Sequence, residues 1–166
     1  IRQMAIDAVD DYRLGPIFTP PTWDGTIQRP SSGGGANWSG AAFDPEAGIL
    51  YIPSTNAYSV MQYREPNPGE ETTLDVIERR GETRTRPQMP QGLPLFKPPY
   101  SRMTAINLNT GDHVWMSPHG DGPRNHPALR DLNLPALGGH SGIHGGGALV
   151  TKTLLFVNSG GRYVAD

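Results

Sequence analysis

The chain has 166 residues, of which 21 are glycine, 17 are proline and 36% are hydrophobic. So many turn-forming residues for so little apolar core favour short strands and long loops over a helical bundle. The 16 acidic and 14 basic side chains give a formal charge of -2, which excludes the cationic surface that a nucleic acid or an anionic lipid would need. The lack of cysteine excludes disulfides and thiolate chemistry, and no run approaches the roughly 20 apolar residues that span a bilayer.

The first 35 residues are predicted to be mostly irregular, with some helical character in the opening segment through Tyr12. Prolines at positions 16, 20, 21 and 30 remove backbone donors and fix φ. This part of the chain is therefore interpreted as an extended connection that lies across a surface or lines a cleft.

Two hairpins are predicted further along the chain. The first pairs residues 37–44 with 49–54 through a turn in which Pro45 presets φ and Gly48 can take a positive value. The second pairs residues 101–108 with 112–118. There Ile106 alternates with Ala105 and Asn107, as in a strand with unlike faces, and residues 109–111 supply the turn.

Long connections separate these hairpins. Residues 60–99 are polar and rich in strand breakers, which predicts a long inserted loop, and residues 120–146 form a second loop rich in Gly, Pro and His. A last strand pair is predicted over 147–151 and 154–159, with one more strand considered over 162–166. Three hairpins without a strict period are typical of divergent repeats.

A longer motif runs through the second hairpin. Ala105 to Trp115 follow the pattern Ala-x-Asn-x-x-Thr-Gly-x-x-x-Trp, which resembles the tryptophan-docking motif of the pyrroloquinoline quinone (PQQ)-dependent dehydrogenases. Four further segments, at 12–21, 34–51, 97–107 and 149–156, are similar to the branch of that family related to membrane-bound glucose dehydrogenase. In this family each such tryptophan packs between neighbouring blades, so the resemblance implies a structural role for Trp115.

The resemblance also implies the fold. It predicts an all-β chain that is part of an eight-bladed β-propeller with antiparallel four-stranded blades, tryptophan-docking motifs and long loops. Residues 1–166 are interpreted as the C-terminal portion of one such domain, a fragment of a longer protein. The inserted loop at 60–99 is then interpreted as an excursion from one blade to the next.

Two candidate cofactor-binding residues come from the same resemblance. In the family the Gly-Gly-x-Asn-Trp segment enters a central funnel and its asparagine contacts the quinone, which implies that Asn37 binds PQQ. An amide both donates and accepts hydrogen bonds, as a quinone edge with carbonyls and carboxylates requires. Trp38 is the second candidate, as a wall of the pocket or as a packing residue. The residues alone leave open that Asn37 caps a loop beside the glycines at 33–35.

The histidines predict no metal site. His140 and His144 are four residues apart, but the glycines around them argue against the helix that would align them on one face. They remain candidates for polar residues of the funnel. His119 and His126 flank turns and have no evident partner. The resemblance implies a Ca²⁺ ion and a carboxylate base upstream of residue 1, so no catalytic or metal-binding residue is assigned in this chain.

The function implied by the resemblance is that of a PQQ-dependent dehydrogenase. The full-length protein would oxidise a hydroxyl group of a sugar or alcohol and pass electrons to ubiquinone or a cytochrome. It would be periplasmic, with or without an anchor in the inner membrane, and it would have no nucleic-acid partner. The 166 residues alone are expected to be inactive.

Two other classes of protein are weighed against this interpretation. A non-catalytic propeller scaffold of the outer-membrane-assembly type carries similar tryptophan repeats, but a scaffold has no need for the amide of Asn37 in a funnel. A sugar-binding β-sandwich lectin would need a cluster of exposed aromatic residues. Its only candidates, Tyr58, Tyr63 and Tyr100, form no convincing cluster in the sequence.

Overall fold

A computed structural model describes residues 2–36, 40–79, 87, 89–139 and 147–157. By its internal contacts the chain divides into two compact units, Ile1–Ser32 with Tyr58–Phe96 and Gly33–Ala57 with Lys97–Asp166. The described residues form ten short strands and a single six-residue α-helix, and all the pairings between strands are antiparallel. The prediction of a mostly β chain with long loops is confirmed. No helix in the described ranges has the length and apolar character needed to cross a membrane.

The elements are numbered in chain order. The helix α1 spans Arg2–Asp7, and the strands are β1 (Thr26–Gln28), β2 (Ala42–Asp44), β3 (Ile49–Thr55), β4 (Ser59–Met61), β5 (Tyr63–Arg64), β6 (Ile77–Glu78), β7 (Ser101–Asn107), β8 (His113–Pro118), β9 (Ala148–Val150) and β10 (Leu155–Val157). Three short 3₁₀ turns, Pro90–Gly92, Gly122–Asn125 and Arg130–Leu132, lie in the connections.

The first unit contains α1 and two small sheets, β1 with β4 and β5 with β6. Ile27 of β1 pairs with Val60 of β4, and both side chains are buried. Gly25, with φ of 108°, lets the chain approach this pair, because a Cβ there would lie 2.7 Å from Val60. The helical character predicted for the opening segment is confirmed over α1. Where a loop was predicted over 60–99, the structure has the short strands β4, β5 and β6.

The second unit is built on a four-stranded sheet in the order β2-β3-β7-β8. The turn between β2 and β3 forms as its sequence predicts. The Asp44 carboxylate accepts hydrogen bonds from the backbone N–H groups of Glu46 and Ala47, at 2.9 and 3.1 Å. Gly48 closes the turn with φ of 67°, a left-handed value that favours glycine. Both predicted hairpins are confirmed, but the first strand, predicted over 37–44, is limited to Ala42–Asp44 among the described residues, and residues 37–39 lie outside them.

The long excursion between the hairpins differs from the prediction in what it connects. Strands β3 and β7 pair along their whole length, from Ile49 opposite Asn107 to Thr55 opposite Ser101. The chain at 56–100 therefore leaves and returns to one sheet. The prediction that it joins two separate blades is wrong, because turn signals define each hairpin locally but do not determine which edges of two hairpins pair.

One row of side chains crosses this sheet. Ala42, Tyr51, Ala105 and Trp115 lie opposite one another on the four strands. Ala105 is fully buried, and the rings of Tyr51 and Trp115 on either side of it are 6.0 Å apart. A small residue in the third strand thus lets two aromatic rings meet across it. The docking motif builds a local aromatic contact within its own sheet.

Strands β9 and β10 form the last described hairpin, with Leu149 opposite Phe156. The backbone N–H of Leu154 donates to the side chain of Thr151 at 3.1 Å and stabilises the turn between them. The predicted last pair is confirmed over these bounds. The further strand considered over 162–166 lies outside the described residues.

Candidate functional site

The candidate site is one end of the four-stranded sheet. Here β3 ends at Thr55, β7 begins at Ser101 and β8 ends at Pro118; we call it the loop end. In an antiparallel sheet alternate connections emerge at opposite ends. The loop end therefore collects the segment before β2, the long excursion and the segment after β8, whereas the other end carries only the short turns at 45–48 and 108–112.

The segment before β2 is held at the loop end by Gly35. Its carbonyl accepts a hydrogen bond from the backbone N–H of Thr55 at 2.7 Å. Ala42 pairs with Tyr51, so in a continuous ladder the residue opposite Thr55 would be residue 38. Gly35, and not residue 38, bonds to Thr55. The chain between Gly35 and Ala42 is therefore three residues longer than a continuous ladder requires. Of the glycines singled out in the sequence, Gly35 is thus in direct backbone contact with the sheet, and Gly34 has a positive φ of 81°.

The backbone of Tyr100 joins three parts of the chain at the loop end. Its carbonyl accepts hydrogen bonds from Asn56 N at 2.8 Å and from Thr55 Oγ1 at 3.3 Å. Its N–H donates to the carbonyl of Leu137 at 2.9 Å. The end of β3, the start of β7 and the second glycine-rich loop are therefore fixed to one another through a single residue.

Gly138 allows this loop to lie directly on β7. Its φ is 80°, and a Cβ at this position would lie 2.6 Å from Ser101 N and closer still to the Ser101 carbonyl oxygen. The N–H groups of Gly138 and Gly139 donate to the carbonyls of Gly120 and His119, at 3.0 and 2.6 Å. Residues 120–139 thus form a closed loop that returns to the loop end.

His119, which sequence reasoning set aside, lies at the base of this loop. Its backbone N–H donates to the Ser101 carbonyl at 3.0 Å. Its carbonyl accepts from Ser101 Oγ at 2.7 Å and from Gly139 N at 2.6 Å. Its imidazole Nε2 is buried and has no hydrogen-bond partner within the described ranges. The predicted second hairpin and the glycine-rich loop after it already place this histidine opposite Ser101, but no motif in the sequence marks its side chain.

The residues predicted to bind the cofactor, Asn37 and Trp38, lie outside the described residues, and so do His140 and His144. The structure does place their described neighbours. Gly35, two residues before Asn37, and Gly139, directly before His140, both bond to the loop end. The two segments that the resemblance assigns to a funnel are therefore attached, through these described neighbours, to the same end of one sheet.

The described residues offer no metal site of three or more His, Asp or Glu side chains. The strongest electrostatic feature is a pair in the first unit, where both terminal nitrogens of Arg64 bond the Glu70 carboxylate at 2.8 Å. These hydrogen bonds, helped by the N–H of Asn67, lower the pKa of Glu70 to about 2. A carboxylate with so low a pKa is a weak base. Glu70 therefore closes a loop and is no candidate for a catalytic base.

Comparison with known proteins identifies the family to which the chain belongs. A family model described as the beta-propeller domain of glucose/ethanol/alcohol dehydrogenase, of the PQQ type, matches residues 1–163. Three curated relatives also match, and the chain spans about a fifth of the length of each.

The relatives are all dehydrogenases. Quinate/shikimate dehydrogenase (quinone) of Acinetobacter baylyi is 26% identical over 155 residues, which cover 81% of this chain and 19% of that protein. Probable quinate dehydrogenase (quinone) of Xanthomonas campestris pv. juglandis is 25% identical over 167 residues, which cover 88% of this chain and 21% of that protein. Quinoprotein glucose dehydrogenase of Escherichia coli is 27% identical over 144 residues, which cover 74% of this chain and 18% of that protein.

The family match covers nearly the whole chain, so the resemblance seen in the sequence is confirmed. The chain belongs to the family of PQQ-dependent dehydrogenases that share this β-propeller domain.

Proposed function

We propose that the chain is part of a PQQ-dependent dehydrogenase that oxidises a hydroxyl group of a cyclic polyhydroxy compound, a sugar or an alcohol. Electrons would pass to a quinone or a cytochrome. The observation that carries this proposal is the family match over residues 1–163. The relatives support the class of substrate, because quinate, shikimate and glucose all carry ring hydroxyls. The names of the two quinate dehydrogenases also give a quinone as electron acceptor.

The four-stranded sheet is proposed to be one blade of an eight-bladed propeller. Its strand order β2-β3-β7-β8 is the up-and-down order of a propeller blade. The hairpin β9–β10 would begin the next blade. The scaffold of the outer-membrane-assembly type gains no support, since each of the named relatives is a dehydrogenase.

The cofactor is proposed to lie beyond the loop end, with Asn37 as a hydrogen-bonding contact and Trp38 as a wall. The support is that Gly35 and Gly139 hold the two glycine-rich segments at this one end, and loops gathered on a rigid scaffold are a common place for a binding site. When bound, PQQ supplies the two-electron acceptor.

The rest of the chemistry is proposed to come from other parts of the polypeptide. A Ca²⁺ ion that polarises the quinone and a carboxylate that takes the hydroxyl proton need acidic ligands, and the described ranges hold no such cluster. A periplasmic location, with or without an inner-membrane anchor, is part of the same proposal.

The experiment uses the polypeptide encoded by the complete reading frame. The apoprotein is titrated with PQQ, with and without Ca²⁺, and assayed for reduction of an electron-acceptor dye with quinate, shikimate, glucose and ethanol. We expect saturable PQQ binding and dye reduction that depends on PQQ and on at least one ring-hydroxyl substrate. A protein that neither binds PQQ nor reduces the dye with any of these compounds would overturn the proposal. So would robust turnover by the 166 residues alone.

A further inference from the structure

A turn in the first unit, from Pro16 to Thr19, presents two neighbouring apolar side chains to the outside. Ile17 and Phe18 are 83% and 91% exposed, the highest values among the large hydrophobic residues of the described ranges. We call these two residues the apolar tip. Single exposed apolar residues are common, but contiguous ones of this size indicate a site of interaction.

The backbone holds the apolar tip in an unfavourable conformation. Phe18 has φ of 69°, a left-handed value that glycine adopts far more readily than an L-residue with a large side chain. The turn is fixed, because the N–H and Oγ1 of Thr19 donate to the Pro16 carbonyl at 3.1 and 2.6 Å. Since the ring is almost fully exposed, packing within the described residues does not offset this strain. Strain that its own surroundings do not explain indicates a role in a contact elsewhere.

The segment that carries the tip is suited to burial. Residues 14–22 contain no ionisable side chain, and the prolines at 16, 20 and 21 have no backbone N–H. The N–H of Thr19 already has its partner within the turn. Few polar groups would therefore lose water in an apolar pocket, and no charge would be buried.

The first unit has only a small core of its own. Three hydrophobic side chains of its described residues are buried, Ile27, Val60 and Met89, whereas eight large ones are exposed, among them Leu14 and Trp23. A unit of this size is seldom stable on so small a core. The chain spans about a fifth of the length of each named relative, so a longer polypeptide of this kind has ample further protein surface to cover the tip.

We propose that Ile17 and Phe18 insert into an apolar pocket in another part of the same polypeptide, outside residues 1–166. Burial of the ring then offsets the strain at Phe18, and the contact fixes the first unit to the rest of the protein. The inference rests on the proposed function only where that takes the chain as part of a longer polypeptide.

Hydrogen exchange in the complete polypeptide tests the contact. The Ile27 N–H donates to the Arg13 carbonyl at 3.0 Å, so its exchange reports on opening of the first unit. Phe18→Ala removes the ring and keeps the left-handed strain, whereas Phe18→Gly removes both. We expect exchange in Phe18→Ala to be about 10- to 150-fold faster than in the unaltered protein, the factor for burial of one such side chain. Exchange in Phe18→Gly should be about 5- to 30-fold slower than in Phe18→Ala, because the strain is relieved.

A ring that stays in water gives a different pattern. Exchange in Phe18→Ala would then equal that in the unaltered protein, and exchange in Phe18→Gly would be slower than in either. That result overturns the proposal.

Thiol labelling identifies what covers the tip. The 166 residues contain no cysteine, so Ile17→Cys introduces a thiol whose reaction with a maleimide is followed by mass spectrometry of the peptide that carries it. Glu71→Cys is the matched control, at an exposed polar position of the same unit. In the complete polypeptide without lipid we expect the thiol at position 17 to react at least about 10-fold more slowly than the one at position 71.

Three results of the labelling overturn the proposal. Equal rates at the two positions mean that the tip is free. Protection of position 17 that appears only with phosphatidylcholine vesicles assigns the tip to a lipid surface, and protection that grows with protein concentration assigns it to a second copy. Neither measurement uses PQQ or turnover, so failure of the proposed dehydrogenase activity is recognised separately, by the dye assay.

Discussion

Replacement of Gly138 by alanine tests whether the second glycine-rich loop is built onto the sheet as described. Gly138 has φ of 80°. A Cβ there would lie 2.6 Å from Ser101 N and 3.0 Å from Tyr100 N, and still closer to the Ser101 carbonyl. All three are backbone atoms of β7 or of the residue before it, so they cannot move aside as the end of a flexible side chain can.

Two effects add up in this variant. A left-handed backbone costs an L-residue about 1–2 kcal/mol, and forcing extra atoms into a packed place costs about a further 1–3 kcal/mol. Gly111 provides a matched control in the same unit. It has the same φ of 80° but nothing within 4 Å of its Cβ position, so Gly111→Ala should show the backbone effect alone. The difference between the two variants should be about 1–3 kcal/mol.

Hydrogen exchange of the backbone amides measures this difference locally, whatever the size of the whole protein. The Tyr100 N–H bonds to Leu137 and reports on contact between the loop and the sheet. In Gly138→Ala we expect its exchange to be about 5- to 150-fold faster than in Gly111→Ala, the factor that corresponds to about 1–3 kcal/mol. Equal protection of Tyr100 in the two variants would refute the close packing of residues 137–139 against β7.

Three more predictions concern other parts of the chain. Asn37→Ala in the complete polypeptide should weaken PQQ binding about 5- to 150-fold in a titration, and Asn109→Ala, at the turn end of the sheet, should not. Trp115→Ala should lower the free energy of unfolding by about 3–5 kcal/mol if the ring is buried against a neighbouring blade; a loss below about 1 kcal/mol would show that it stays at the surface. The Glu70 carboxyl should titrate at about 2 by NMR and return to its ordinary range in Arg64→Met.

The pH dependence that follows from Glu70 has a definite sign. Its pKa is lowered in the folded protein, so its contribution to stability is present above the ordinary glutamate pKa of about 4.3. The contribution is lost as the pH falls from there toward about 2. The Tm of the unaltered protein and the Tm of Arg64→Met should therefore converge at the acid end of this range. A difference in Tm that persists there would contradict the pairing of Arg64 with Glu70.

Much of the local structure was determined by the sequence alone. The turn at 44–48 follows from an aspartate that caps two N–H groups and a glycine with positive φ. The second hairpin follows from alternation and from the turn at 109–111, and the docking motif correctly identified the family. These features depend on hydrogen bonds and backbone torsions within a few residues, so the local sequence is enough to specify them.

Only the tertiary structure decided how these pieces combine. The pairing of β3 with β7 joins residues that are up to 58 positions apart, as Ile49 with Asn107, and it turned two predicted hairpins into one sheet. The same pairing brought the segment at Gly35 to the end of the sheet at which the loop of Gly138 packs on Ser101. Long-range backbone pairing depends on the packing of complete edges and on the closure of the intervening chain, and neither leaves a periodic signal in the sequence.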